Sequence, residues 1–80
     1  MVTREVVRAL TVWDVSASTD AVLEPGSVLH ECRIVRGAAP GEAYLVHFQC
    51  ESREYRCPLY RFQPRTAGVE IVPALTAVAV

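Results

Sequence analysis

Two stretches of alternating residues, 43–50 and 53–59, stand a few positions apart and restrict the fold of this chain more than any other feature. In the first, Tyr44, Val46, Phe48 and Cys50 recur at period two; in the second, Tyr55, Cys57 and Leu59 do the same. Period two belongs to extended strands, whose side chains point alternately to opposite faces. An antiparallel hairpin closed over residues 51–54 sets Cys50 opposite Tyr55, Phe48 opposite Cys57 and Val46 opposite Leu59, which gathers the large apolar side chains on one face. A slip of one residue would turn one strand's set to water, so the register is self-consistent and its core set is Tyr44, Val46, Phe48, Tyr55, Cys57 and Leu59.

The same pattern extends along the chain. Residues 4–15 predict a long first strand with Val7, Ala9, Thr11, Trp13 and Val15 on one face, and Ser16, Ala17, Ser18, Thr19 and Asp20 predict a polar loop after it. Pro25-Gly26 is a type II turn signal, proline presetting φ at the second turn position and glycine accepting a positive φ at the third. Residues 27–36 predict a strand whose better core face is Val28, His30, Cys32 and Ile34, with Leu29, Glu31, Arg33 and Val35 opposite. A Gly- and Pro-containing loop at residues 37–41 leads into the first alternating stretch. Pro58 cannot donate to a ladder, so its strand is an edge there or leaves the sheet; residues 59–64 predict a short 3₁₀ turn and residues 69–72 a last strand ahead of Pro73.

Eighty residues predict one domain, with a core over residues 4–72 and an apolar tail at 73–80. The expected class is all-β: a small antiparallel barrel or strongly rolled sheet of about five strands, the alternative being a small β-sandwich. Over residues 24–72 the order of strands, tight turns, proline-interrupted fourth strand, single 3₁₀ turn and closing strand resembles the SH3-like small barrels. The resemblance implies a fold, and such barrels serve peptide binding, nucleic-acid binding and, as oligomers, occasional catalysis. The long first strand and the apolar tail depart from the pattern.

Hydrophobic residues make up 51% of the chain against 21% charged, and mean hydropathy is +0.22. A domain of this size needs a polar exterior, so some apolar surface is expected to be covered, most simply by a second copy of the chain. The segment holding Val69, Ile71, Val72, Leu75, Val78 and Val80, with Glu70 its only charge, is the expected contact of a homo-oligomer. A net charge of −1 gives no global field for nucleic acid or an anionic membrane. All basic residues are arginine, and lysine and asparagine are absent, a bias expected of a GC-rich, bacterial genome. Three cysteines cannot all pair within one chain and no secretory leader is recognisable, which predicts a reducing, cytoplasmic setting; no apolar run nears the ~20 residues that span a bilayer.

Chemical signatures are sparse. Cys32, Cys50, Cys57, His30 and His47 include no closely spaced cysteine pair, and His47 and Cys50 fall on opposite strand faces, so neither a metal nor any other cofactor is expected. His30 and Cys32 share a predicted face, yet i, i+2 neighbours on a strand stand ~6.5–7 Å apart, too far to activate a thiol. No phosphate-binding loop, dinucleotide fingerprint or hydrolase elbow occurs, and no catalytic residue is assigned. Two surfaces remain. Arg53, Arg56, Arg61 and Arg65 interleave with Tyr55, Tyr60 and Phe62 against Glu54 alone, the composition that holds single-stranded nucleic acid, or else a solvated face whose arginines pair with nearby glutamates. The face of the hairpin opposite the core carries Leu45, His47 and Gln49 beside Arg56, Pro58 and Tyr60, the composition of a protein-contact patch or of the second packed face of a sandwich. The resulting expectation is a non-enzymatic interaction module acting as a homo-oligomer or within a complex, with Leu45, His47, Arg56, Tyr60, Arg61 and Arg65 as partner-binding residues. The alternative is a nucleic-acid-binding barrel using Arg56, Arg61 and Arg65.

Overall fold

The computed structural model describes residues 2–36 and 44–68. Among them the chain forms β1 (Val2–Val6), β2 (Leu10–Asp14), β3 (Thr19–Leu23), β4 (Val28–Arg36), β5 (Tyr44–Cys50) and β6 (Arg53–Pro58). A one-turn helix α1 (Leu59–Phe62), a 3₁₀ turn (Gln63–Arg65) and β7 (Thr66–Gly68) follow. All pairings are antiparallel, and the strands run in the order β3-β2-β6-β5-β4-β1-β7, curled into a half-barrel. The expected all-β class is therefore present, with seven strands among the described residues in place of about five. The loop at residues 37–41, the strand at 69–72 and the apolar tail at 73–80 lie outside the described residues.

The central hairpin keeps the predicted core face and changes its register. Cys50 pairs with Arg53, Phe48 with Tyr55 and Val46 with Cys57, two positions from the expected pairs. An even shift leaves every side chain on its face, so Val46, Phe48, Tyr55 and Cys57 are buried while Tyr44 and Leu59 pack half-buried against them. The cause is the turn. It uses only Glu51 and Ser52, at φ 51° and 66°, the paired positive φ of a type I′ hairpin whose twist matches that of the strands. Neither residue is asparagine or glycine, so nothing local announced it.

One strand face is the reverse of expectation, and a second is reversed over its first half while its Cys32 and Ile34 are buried as expected. The 4–15 segment breaks at residues 7–9, and it buries Val6, Leu10, Val12 and Asp14 while Val7 and Val15 are exposed. The break is a corner held by backbone bonds: Val6 N–H donates to Ser27 O, Gly26 N–H to Val6 O, and Val7 N–H to Arg65 O. Asp14 made the true core face look polar, but its carboxylate accepts from Arg53 Nη2 at 2.7 Å and from Ala17 N–H at 3.1 Å. In β4 the buried residues are Leu29, Cys32 and Ile34, with Val28 and His30 exposed. A bulge inverts the phase there: Glu31 sits at φ 54°, and three steps on β4, from His30 to Arg33, match two on β5, from Gln49 to His47. The predicted polar loop shrinks to residues 15–18, and Thr19 and Asp20 begin the edge strand β3, which sequence reading missed.

The Pro25-Gly26 turn forms as predicted, with Ser27 N–H donating to Glu24 O at 3.2 Å and Gly26 at φ 96°. Phe48, fully buried, lies 5.9 Å from the Tyr55 ring and 5.4 Å from the Phe62 ring, so α1 caps the concave side of the sheet. Gly68 ends β7 so close to β1 that a side chain there would meet Thr3 O at 3.0 Å.

Phe48→Ala is expected to cost about 3–5 kcal/mol in urea unfolding, and an unchanged midpoint would contradict the packing described. Replacing Glu51-Ser52 by Asn-Gly is expected to stabilise by ~1 kcal/mol, because both positions already hold the left-handed conformation; a loss of stability would rule out the two-residue turn.

Candidate functional site

The convex face of the curled sheet carries a row that crosses four strands. Trp13 on β2 pairs with Arg56 on β6, Arg56 with His47 on β5, and His47 with Arg33 on β4. Directly cross-strand neighbours have Cβ atoms ~4.5–5.5 Å apart, so these side chains form one continuous strip. One step along, Leu45 pairs with Pro58 and with Val35. Together they bound an open groove of about 450 Å³ lined by Trp13, Val35, Arg36, Leu45, His47, Arg56 and Pro58, with Cys57 beneath. Val35 is exposed, and Trp13, Leu45, His47 and Pro58 are half-buried with no element among the described residues packed over them.

Leu45, His47 and Arg56 are thus brought together, in a register shifted by the shorter turn. Tyr60, Arg61 and Arg65 lie elsewhere. Tyr60 is 70% exposed on α1, with the Arg61 guanidinium 5.9 Å from its ring centre. Arg61 donates to Thr11 O at 3.4 Å and Arg65 to Ala9 O at 3.1 Å, and both line a separate polar hollow with Ala9, Thr11 and Asp20. Of the aromatic residues interleaved with these arginines, Tyr55 and Phe62 are buried, leaving Tyr60 alone at the surface. Sequence reading placed Trp13 on a core face and missed its part in the groove. Only the long-range pairing of β2 with β6 brings it to Arg56, and no local signal encodes that pairing.

Electrostatics divide the titratable groups into two sets. Burial pushes the thiols of Cys32, Cys50 and Cys57 up, Cys57 to about 12, which keeps all three in the protonated form at neutral pH. The bulge also separates His30, exposed, from Cys32, buried, which ends the predicted sharing of a face. Among the described residues no three His, Cys, Asp or Glu side chains gather as metal ligands do. His47 is different: burial, then Arg33 and Arg56 on its two neighbouring strands, lower its pKa, with Glu54 opposing. Arg33 is itself held by Glu54 at 3.4 Å in an exposed pair.

No family model, curated protein or solved structure matches the chain, so the functional reading of this face rests on its own geometry. No helix among the described residues is long and apolar enough to cross a membrane.

A histidine whose pKa is lowered on folding binds fewer protons in the folded than in the unfolded chain. Its contribution is complete above the unfolded value of 6.5 and is lost as pH falls through the folded value. The melting temperature of the native chain is therefore expected to drop more between pH 7 and pH 5 than that of His47→Gln; parallel curves would show that His47 does not feel its two arginines.

Proposed function

We propose that the chain is a non-enzymatic, SH3-like interaction module that holds a partner protein on the convex face of its sheet. The order of elements supports the SH3-like assignment: a first strand, a long excursion made by the β2–β3 hairpin, the β4–β5–β6 meander, a single helical turn, and a last strand returning beside the first. The observation that carries the functional reading is the strip of Trp13, Val35, Leu45 and Pro58 with Arg36 and Arg56 at its margin. It is an apolar surface with arginine and tryptophan on rigid strands, the composition that carries most binding energy at protein interfaces. The buried thiols, and a groove whose described lining residues include no acid to pair with His47, weigh against a stand-alone enzyme. A second copy of the chain is a partner this reading admits, since among the described residues β3 ends the sheet with Val22 56% exposed.

Nucleic-acid binding through Arg56, Arg61 and Arg65 is supported less well. Arg56 lies in the groove while Arg61 and Arg65 face the other hollow, and a single exposed tyrosine offers little stacking surface.

Trp13 is the only tryptophan, so its emission reports on the groove. Selection from a displayed library of short random peptides is expected to yield binders that shift Trp13 emission and are lost in Leu45→Glu, a variant that keeps its circular dichroism spectrum. Binders indifferent to Leu45→Glu but lost in Arg61→Glu would overturn the assignment, as would a selection that yields none.

A further inference from the structure

The charges around the groove restrict what can occupy it. Its floor is apolar, made by Trp13, Val35, Leu45 and Pro58. Its margin is cationic: Arg36 and Arg56 line it, and neither has an ion-pair partner among the described residues. Arg33 and Arg53, by contrast, are engaged by Glu54 and Asp14. Among the described residues, Glu54 beside the row is held by Arg33, and Asp20 is paired with Trp13 at its far end. The groove is thus lined by two arginines without an ion-pair partner among the described residues, beside an apolar floor. A guanidinium presents a planar fork of donors that fits a carboxylate with two parallel hydrogen bonds.

The dimensions suit an extended chain. From Trp13 on β2 to Val35 on β4 the groove crosses three inter-strand steps of ~4.8 Å, the reach of about four extended residues. Resting on the reading of this face as a docking surface, we propose that its occupant is an acidic, extended peptide segment of a partner protein. Apolar side chains of the segment lie on Trp13, Leu45 and Pro58, and a carboxylate is held by Arg36 and Arg56.

His47 gives the proposal a second, independent readout. The groups facing it are Arg33 from β4 and Arg56 and Glu54 from β6, and in the free protein its burial and the two guanidiniums keep it neutral. A carboxylate seated beside Arg56 adds a negative charge next to the imidazole and draws a proton onto it. Binding that takes up a proton tightens as pH falls, by about tenfold for each unit by which the peptide raises the imidazole pKa.

The test is a titration of the full chain, followed by Trp13 emission, with a blocked peptide alternating leucine and glutamate, its glutamine and lysine counterparts, and a single-stranded thymidine oligonucleotide. The acidic peptide is expected to bind about tenfold or more tighter than the glutamine peptide at low salt, and to lose that margin as salt rises. Arg56→Glu is expected to abolish the margin and to gain binding of the lysine peptide, a reversal that only a folded face can give. Tightening between pH 8 and pH 5.5 is expected in the native chain and absent in His47→Gln. Equal binding of the glutamine peptide, or preference for the lysine peptide, would overturn the acidic assignment while leaving the docking face in place. Tighter binding of the oligonucleotide would replace a peptide by a nucleic acid. If none of these probes binds while library-selected peptides do, the acidic assignment alone fails; if no peptide of either kind binds, both readings fail.

Discussion

The fold depends on one extra residue in β4. Leu29 and Ile34 are an odd number of positions apart, and on an uninterrupted strand they would face opposite sides; the bulge at Glu31 brings both into the same core. It also divides the strand's work. The first half of β4 pairs with β1, through Val2–Cys32, Arg4–Leu29 and Glu5–Val28, while the second half carries β5. A strand that bends and twists at its middle can serve both ladders, so the curl of the sheet, the concave pocket for Phe48 and the convex face opposite it follow from the same irregularity. Among the described residues no element lies over the convex face, because the curl turns α1 to the other side.

Two polar contacts make the curled arrangement tolerable. Asp14 is buried at the end of β2, and without Arg53 and the Ala17 N–H it would be an uncompensated charge under the β2–β3 turn. At the other end Arg4 donates from Nε to Thr66 Oγ1 and from Nη2 to Thr66 O, both at 2.9 Å, with its guanidinium 5.7 Å from the Phe62 ring. Thr66 Oγ1 in turn donates to Phe62 O. The residues that bury an aromatic cap over the core therefore also join β1 to the turn preceding β7. Polar side chains here close the structure that apolar ones fill.

Legibility in the sequence followed the range of the interactions. The alternation of residues 43–50 and 53–59 revealed the central hairpin and most of its core, because strand parity survives an error of two in register. The turn itself was opaque, since Glu51 and Ser52 adopt positive φ without glycine or asparagine to signal it. The face of β2 and the first half of β4 differ from expectation for opposite reasons: Asp14 disguised a core face as polar, and the Glu31 bulge interrupted a face that looked continuous, leaving only Cys32 and Ile34 where the alternation put them. β3, whose residues Thr19 to Leu23 bury only Leu23, carries too weak a pattern to stand out. Leu45, His47 and Arg56 could be grouped in advance because one hairpin holds them all, whereas Trp13 joins them only through a pairing between β2 and β6.

The adjacency of β1 and β7 has a mechanical consequence. Arg4 faces Gly68 and Val6 faces Thr66, so the described chain enters and leaves the sheet side by side, at the same end of one antiparallel ladder. A pull on the two ends would open this ladder like a zipper, loading one hydrogen bond at a time in place of shearing them together. The grip of Arg4 on Thr66 lies within that ladder and would be among the first contacts to carry load. Side-by-side entry and exit also hold Arg4 and Gly68 little more than one strand spacing, ~4.8 Å, apart, so the segments beyond them start from neighbouring points.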